Sequence, residues 1–150
     1  MKKFLNGFRF AYHGIASVIK NEVNFRVHTV MAIYVLFFAF IGKVSTAEFA
    51  ALCGLVALVL SLELVNTALE SLCDRVTKET DKVIGKVKDL TAGAVLLSAL
   101  FAAIGGLFIF LQADVLDTVF GLFGSSPAVL IGFLISIPLA LVFIFCAKKD

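Results

Sequence analysis

The sequence has few of the residues that a water-soluble surface needs. Charged residues make up 16% of the 150-residue chain and apolar residues 61%, against about 25% and about 45–50% in soluble domains. There is no Trp and there are only two Pro, which with the apolar excess excludes a disordered or collagen-like chain. The net charge of +2 gives no reason to expect nucleic-acid binding. The composition therefore predicts one membrane-embedded domain over residues 1–150.

Motifs for several familiar kinds of site are also missing. Cys53, Cys73 and Cys146 are an odd number without CxxC spacing, so neither a disulfide nor a metal–thiolate site is expected. The sequence contains no GxxxxGK[ST] loop and neither HRD nor DFG, which excludes the two common kinase scaffolds. Any nucleotide chemistry in this chain needs a different scaffold.

Four apolar stretches approach the length that crosses a hydrocarbon core of about 30 Å as a helix. They cover residues 27–42, 47–73, 91–113 and 127–147, and the first is short for a full span. Twelve of the thirteen Lys and Arg residues lie before the first stretch, between the second and third, or after the fourth; the exception is Lys43. Because basic segments stay in the cytoplasm, both termini are predicted to be cytoplasmic. Residues 114–126 are then a loop on the opposite side.

The segment before the first span has an amphipathic pattern. Phe4, Phe8, Tyr12 and Ile15 recur at helical spacing, and basic residues such as Arg9 occupy much of the remaining surface. This pattern is typical of a helix that lies in the membrane interface. A cytosolic helix packed on the bundle would show the same pattern, and this alternative stays open.

The second span ends in a polar face. Glu63, Asn66, Thr67, Glu70 and Asp74 follow the helical period. At about 1.5 Å per residue, Glu63 lies roughly 10 Å from Glu70 along the axis and therefore within the apolar region. An ionisable group at such depth costs at least ~2.5 kcal/mol and indicates a functional site that faces the bundle interior. The structural alternative is a glutamate that snorkels or pairs with a neighbouring Arg.

Two further acids lie at the same membrane level. Glu22 precedes the first span, and Asp89 follows Lys88 at the entrance of the third. Several carboxylates near few cations suggest a divalent metal, and Mg²⁺ fits because it takes carboxylate and phosphate oxygens. Glu22 also suits a solvated helix end, and Lys88 suits either a phosphate contact or a positive-inside anchor.

The polar face and its flanks resemble one known family. The stretch Glu63-x-Val65-Asn66-Thr67-Ala68-Leu69-Glu70-x-x-x-Asp74 is similar to the signature of the prokaryotic diacylglycerol kinases, which include the undecaprenol kinases of Gram-positive bacteria. Three flanking motifs agree: Phe8-x-x-Ala11-x-x-Gly14, Glu22-x-x-Phe25-Arg26-x-His28, and Lys88-Asp89-x-x-Ala92-Gly93-Ala94-Val95. The resemblance covers residues 4–112 in the family's order and spacing.

This resemblance implies a homotrimer with composite active sites that transfers the γ-phosphate of MgATP to a lipid hydroxyl. It assigns Glu63 as the general base, and Glu22 and Glu70 as the Mg²⁺ ligands. The nucleotide-binding residues that it implies are Asn66, Asp74, Glu79, Thr80, Asp81, Lys88 and Asp89. The residues that it places at the lipid substrate are Ala11, Gly14, Phe25, Arg26 and Ala92.

The sequence departs from the family in two places. Cys73 stands where the signature has a small aliphatic residue, and residues 113–150 add a loop and a fourth transmembrane helix. We therefore expect an all-α integral protein of the bacterial inner membrane. It has an N-terminal interfacial amphipathic helix, the family's three transmembrane helices and an extra fourth, with the active site at the cytoplasmic face.

Undecaprenol is the favoured lipid substrate over diacylglycerol. The reason is that Asn24-Phe25-Arg26-Val27-His28 resembles the Gram-positive members of the family. Two other functions stay open. One is a small proton-coupled four-helix transporter that uses Glu63, and the other is a non-catalytic subunit of a membrane assembly.

Overall fold

The computed structural model describes residues 2–76 and 81–146, and these residues form six α-helices and no strand. The helices are α1 (Lys2–Asn21), α2 (Val23–Ile41), α3 (Thr46–Val76), α4 (Lys82–Phe110), α5 (Ala113–Ser125) and α6 (Pro127–Cys146). Four of them, α2, α3, α4 and α6, are long and apolar enough to cross a membrane. The all-helical fold and the four spans are thus confirmed.

The bundle is organised around α3. This helix packs most extensively on α4 and next on α2, while α5 and α6 pack on α2. Few of the described side chains are buried in the subunit, and the larger apolar ones include Phe25 on α2 and Leu52 on α3. Most large apolar side chains are exposed, as expected of helices whose outer surfaces face lipid or other apolar helices.

The first helix meets the bundle only near its end. Every residue from Phe4 to Ile15 is exposed, and partly buried residues begin at Ala16. The chain then turns at Glu22, whose backbone is extended (φ −106°, ψ 115°), into α2. The N-terminal helix exists as expected, and its location in a membrane interface stays a prediction.

The third span starts earlier than its hydropathy indicates. The apolar run begins at Thr91, but α4 begins at Lys82. Asp81 caps the helix, because its Oδ1 accepts the backbone N–H groups of Val83 (2.7 Å) and Ile84 (3.1 Å). Such a cap satisfies donors that have no intrahelical partner. The charged residues of this segment lower its hydropathy without interrupting the helix.

The prediction of a loop between the third and fourth spans is wrong. Residues 113–125 form α5, with Val115 buried and Val119 half-buried. Both side chains lie against the end of α2 at Gly42. Apolar residues recur in this segment at the spacing of a short amphipathic helix. The prediction treated the segment as the connection between two apolar stretches and overlooked this period.

The approach of α5 to α2 leaves no room for a side chain at Gly42. A methyl group there would lie 2.8 Å from the carbonyl oxygen of Phe38 and 2.9 Å from Cγ1 of Val115. We expect Gly42→Ala to destabilise the protein by ~1–3 kcal/mol, as overpacking does elsewhere. Thermal unfolding in detergent micelles measures this. Gly132→Ala is the matched control, because nothing lies within 4 Å of its added methyl group. Equal stability of the two variants would contradict the packing described.

Candidate active site

One face of α3 changes from apolar to polar along the helix. Leu52, Val56 and Val59 line an apolar groove, and Glu63 and Asn66 continue the same face because residues three and four apart are neighbours on a helix. Glu63 is 3% exposed and Asn66 is 7% exposed. A buried carboxylate therefore lies one helical turn, about 6 Å along the axis, beyond Val59 of the groove lining.

The groove lies between α2, α3 and α4 and has a volume of about 520 Å³. Its lining is almost entirely aliphatic, with Phe110 toward the end of α4. His28 is the one ionisable side chain among the described residues that line it. A groove of this composition suits a hydrocarbon chain better than a polar ligand.

Asn66 lies between Glu63 and Glu70 on one face of α3 and has an unused acceptor. Its Nδ2 donates a hydrogen bond to Oε1 of Glu70 (3.0 Å). Its Oδ1 is buried and has no hydrogen-bond partner in residues 2–76 and 81–146. A buried oxygen without a partner is costly, which indicates a position for a donor or a cation.

Glu63 is not one half of a buried ion pair in the described part of the chain. The buried arginine, Arg26, bonds to backbone carbonyls instead, and the salt bridge found there joins Lys88 to Asp74. The alternative in which Glu63 pairs with a neighbouring Arg therefore has no support in the structure.

A complete metal cage of protein side chains does not occur among the described residues, since no group of three or more His, Cys, Asp and Glu is placed to hold an ion. Mg²⁺ is commonly held by one or two carboxylates together with substrate phosphates. Glu22 at the start of α2 and Glu70, bonded to Asn66 on α3, supply carboxylates of that kind. The open Oδ1 of Asn66 adds a neutral oxygen. This donor set fits Mg²⁺ with ligands left for phosphate.

Lys88 and Asp74, both predicted at the nucleotide, lie together. The ammonium of Lys88 donates to Oδ1 of Asp74 and so joins α4 to α3. Both side chains are partly exposed, and an exposed pair of this kind contributes little to stability. Lys88 therefore remains available to a phosphate. Asp89 is exposed beside it.

The remaining residues that were predicted to bind the nucleotide or the lipid lie in different parts of the structure. Ala11 and Gly14 are exposed on α1 and Ala92 is exposed on α4. Asp81 caps α4, while Glu79 and Thr80 lie outside the described residues. Phe25 and Arg26 are enclosed within the subunit, so neither presents a surface to a lipid there.

The sequence did not reveal what Arg26 bonds to. Its Nε donates to the carbonyl of Ile144 (2.8 Å), and one Nη donates to the carbonyls of Ile19 (3.0 Å) and Lys20 (2.9 Å). These carbonyls belong to the last turns of α6 and α1, where helices lack internal donors. Partners of this kind are backbone atoms, so no sequence motif marks them.

Fold and site together define an α-helical membrane protein with one buried carboxylate, Glu63, at the end of an apolar groove. Residues 9–110 match the family described as prokaryotic diacylglycerol kinase. The chain therefore belongs to this family, and it is a multi-pass membrane lipid kinase. The resemblance drawn from the motifs is confirmed, and the transporter alternative receives no support.

Individual relatives agree with the family. The chain is 35% identical over 111 residues to an undecaprenol kinase of Bacillus subtilis, covering 74% of this chain and 90% of that protein. It is 38% identical over 103 residues to a diacylglycerol kinase of Synechocystis, covering 68% and 59%. It is 29% identical over 108 residues to a diacylglycerol kinase of Haemophilus influenzae, covering 71% and 92%. The family match ends at residue 110, so α5 and α6 lie beyond it.

Proposed function

We propose that the protein transfers the γ-phosphate of ATP to the hydroxyl of undecaprenol, with diacylglycerol as the second candidate. The reaction takes place at the cytoplasmic face of the bacterial inner membrane. The observation that carries this proposal is the continuity of the apolar groove with Glu63, Asn66 and Glu70 on one face of α3. The hydrocarbon chain lies in the groove, and the hydroxyl group reaches Glu63.

Glu63 acts as the general base in this proposal. Its carboxylate accepts the proton of the lipid hydroxyl while the hydroxyl oxygen attacks the γ-phosphorus. The new O–P bond forms as the bond from the γ-phosphorus to the bridging oxygen breaks, and that oxygen leaves with ADP. Phosphoryl transfer of this kind depends mainly on positioning and on neutralising charge.

The turns of α3 beyond Glu63 would receive the nucleotide and its metal. Glu22 and Glu70 would hold Mg²⁺, and neutralising the phosphate charge is the chemistry that the ion supplies when bound. Lys88, released from Asp74, donates to the phosphates. Asn66 holds Glu70 in place through the hydrogen bond between their side chains.

The protein is also proposed to work as a homotrimer with composite sites, as its family resemblance implies. The support within the chain is the extent of exposed apolar surface on α2, α3 and α4, which neighbouring subunits as well as lipid can cover. Cross-linking in micelles measures the number of subunits.

The lipid substrate is tested with γ-labelled ATP and the purified protein in micelles that contain either undecaprenol or diacylglycerol. We expect the label to enter undecaprenyl phosphate at the higher initial rate. Of the two relatives that are covered over nine-tenths of their length, the undecaprenol kinase is 35% identical and the diacylglycerol kinase 29% identical, which supports this order. Faster labelling of phosphatidic acid would reverse it. Absence of label from both lipids, with folded protein, would contradict the proposed function.

A further inference from the structure

The last helix, α6, is connected through one buried side chain to the turn between α1 and α2, where Glu22 lies. Arg26 is 1% exposed, and its guanidinium bonds to the ends of α1 and α6. We propose that α6 is a positioning element of the active site, and that Arg26 transmits its position to the elbow formed by residues 21–23. This inference rests on the proposed function, in which Glu22 on that elbow is a metal ligand.

The bonds of Arg26 require α6. A buried guanidinium must have its donors satisfied, because an unpaired buried charge is strongly destabilising. The structure satisfies Nε with the carbonyl of Ile144 on α6 and satisfies one Nη with the carbonyls of Ile19 and Lys20 on α1. A displacement of the end of α6 removes the partner of Nε, so the guanidinium must move or admit water.

The same residue holds the elbow through its backbone. The N–H of Arg26 donates to the carbonyl of Glu22 (3.3 Å), and the N–H of Glu22 donates to the carbonyl of Val18 (2.8 Å). The backbone of Glu22 is thus bonded to α1 through Val18 and to α2 through Arg26. A shift of Arg26 is therefore passed to Glu22.

The rest of α6 fixes the end that Arg26 contacts. The hydroxyl groups of Tyr34 and Ser136 are hydrogen-bonded (3.0 Å), and the Phe38 and Phe133 rings pack edge to face with centroids 5.3 Å apart. The side chain of Ile144 is itself buried. The helix is therefore anchored to α2 along its length and not only at Arg26. Because α6 lies beyond the family match, this support is an addition to the matched region.

The test compares two adjacent positions on α6. Ile144→Ala removes a side chain that is 8% exposed, whereas Phe145→Ala removes one that is 69% exposed. Arg26→Lys keeps the charge but loses the planar donors. Each variant in micelles is titrated with Mn²⁺ and a non-hydrolysable ATP analogue, with bound Mn²⁺ followed by electron paramagnetic resonance. Hydrogen exchange at the amides of residues 22 and 26 is measured without nucleotide.

We expect Ile144→Ala and Arg26→Lys to weaken Mn²⁺ binding by about tenfold, the scale seen when partners of metal ligands are removed. Both variants should speed exchange at the elbow and leave the KM for lipid unchanged, while Phe145→Ala matches the wild type. The double variant of Arg26 and Ile144 should be no worse than the more affected single variant, since both act through one contact.

The outcomes separate this inference from the proposed function. Unchanged Mn²⁺ binding in Ile144→Ala overturns the inference, whether or not hydrogen exchange at the elbow is faster. In that case α6 would stabilise the fold without affecting the metal site. If Arg26→Lys does not fold, Ile144→Ala still decides. Wild-type protein that transfers no phosphate would refute the proposed function, whereas elbow exchange would still report whether α6 holds Arg26.

Discussion

Glu63→Gln is expected to lower turnover by roughly 10²- to 10⁴-fold, the contribution typical of a positioned general base, while ATP still binds. Gln has nearly the size of Glu and keeps a polar head, but its amide does not accept a proton at neutral pH. Glu63 is enclosed by the bundle at the end of the groove, so water has little access to replace it. The expected loss is therefore in the chemical step.

Labelled phosphate transfer gives the rate for this variant, and calorimetric titration with ATP gives nucleotide binding. Glu48→Gln is the matched control, because it makes the same chemical change on the same helix about 22 Å away along the axis. Glu48 bonds there with Ser45 and Gln112, and the control should retain turnover. Retained activity in Glu63→Gln would remove this residue from the role of base.

The same experiment addresses the reading of the chain as a non-catalytic membrane subunit. That reading predicts that Glu63→Gln changes nothing, because the residue would serve no reaction. A large loss of transfer with ATP binding intact is the opposite result. A measured loss of ATP binding together with turnover would instead place Glu63 at the nucleotide.

Glu70→Gln is expected to raise the Mg²⁺ concentration needed for half-maximal rate by about tenfold or more, within the range seen for disrupted metal sites. The substitution removes a negative charge and keeps a side-chain oxygen. That oxygen can still accept the hydrogen bond from Nδ2 of Asn66. The variant therefore tests the loss of the negative charge while the geometry of the site is kept.

A Mg²⁺ titration at fixed ATP measures this effect. Saturating Mg²⁺ should restore much of the rate, because the general base is intact. Ser71→Ala is a suitable control, since Ser71 is the next residue on α3 and its side chain is exposed. An unchanged titration in Glu70→Gln would refute its assignment as a ligand.

Much of the fold follows from patterns that are local in sequence. The length and apolarity of the spans predicted the four membrane helices, because the bilayer imposes a minimum length on each. The helical period predicted that Glu63, Asn66 and Glu70 share a face, because neighbours on a helix are set by its pitch alone. The family motifs are carried by the same local segments.

The elements that were missed have signals that hydropathy does not measure. The first turns of α4 carry charges that lower hydropathy, and their start depends on the Asp81 cap. The segment that forms α5 was assigned as a loop because it lies between the third and fourth apolar stretches, and its own helical period was overlooked. Its helix packs on α2, a surface distant in sequence.

The sequence by itself determined the class of protein, the four spans, the polar face of α3 and the family. Only the tertiary structure decided what surrounds that face: the groove that meets Glu63, the open oxygen of Asn66, and the bonds of Arg26 to α1 and α6. The reason is physical. Helix period and hydropathy depend on neighbouring residues, whereas a groove and a bond between residues 118 positions apart exist only once the helices have packed.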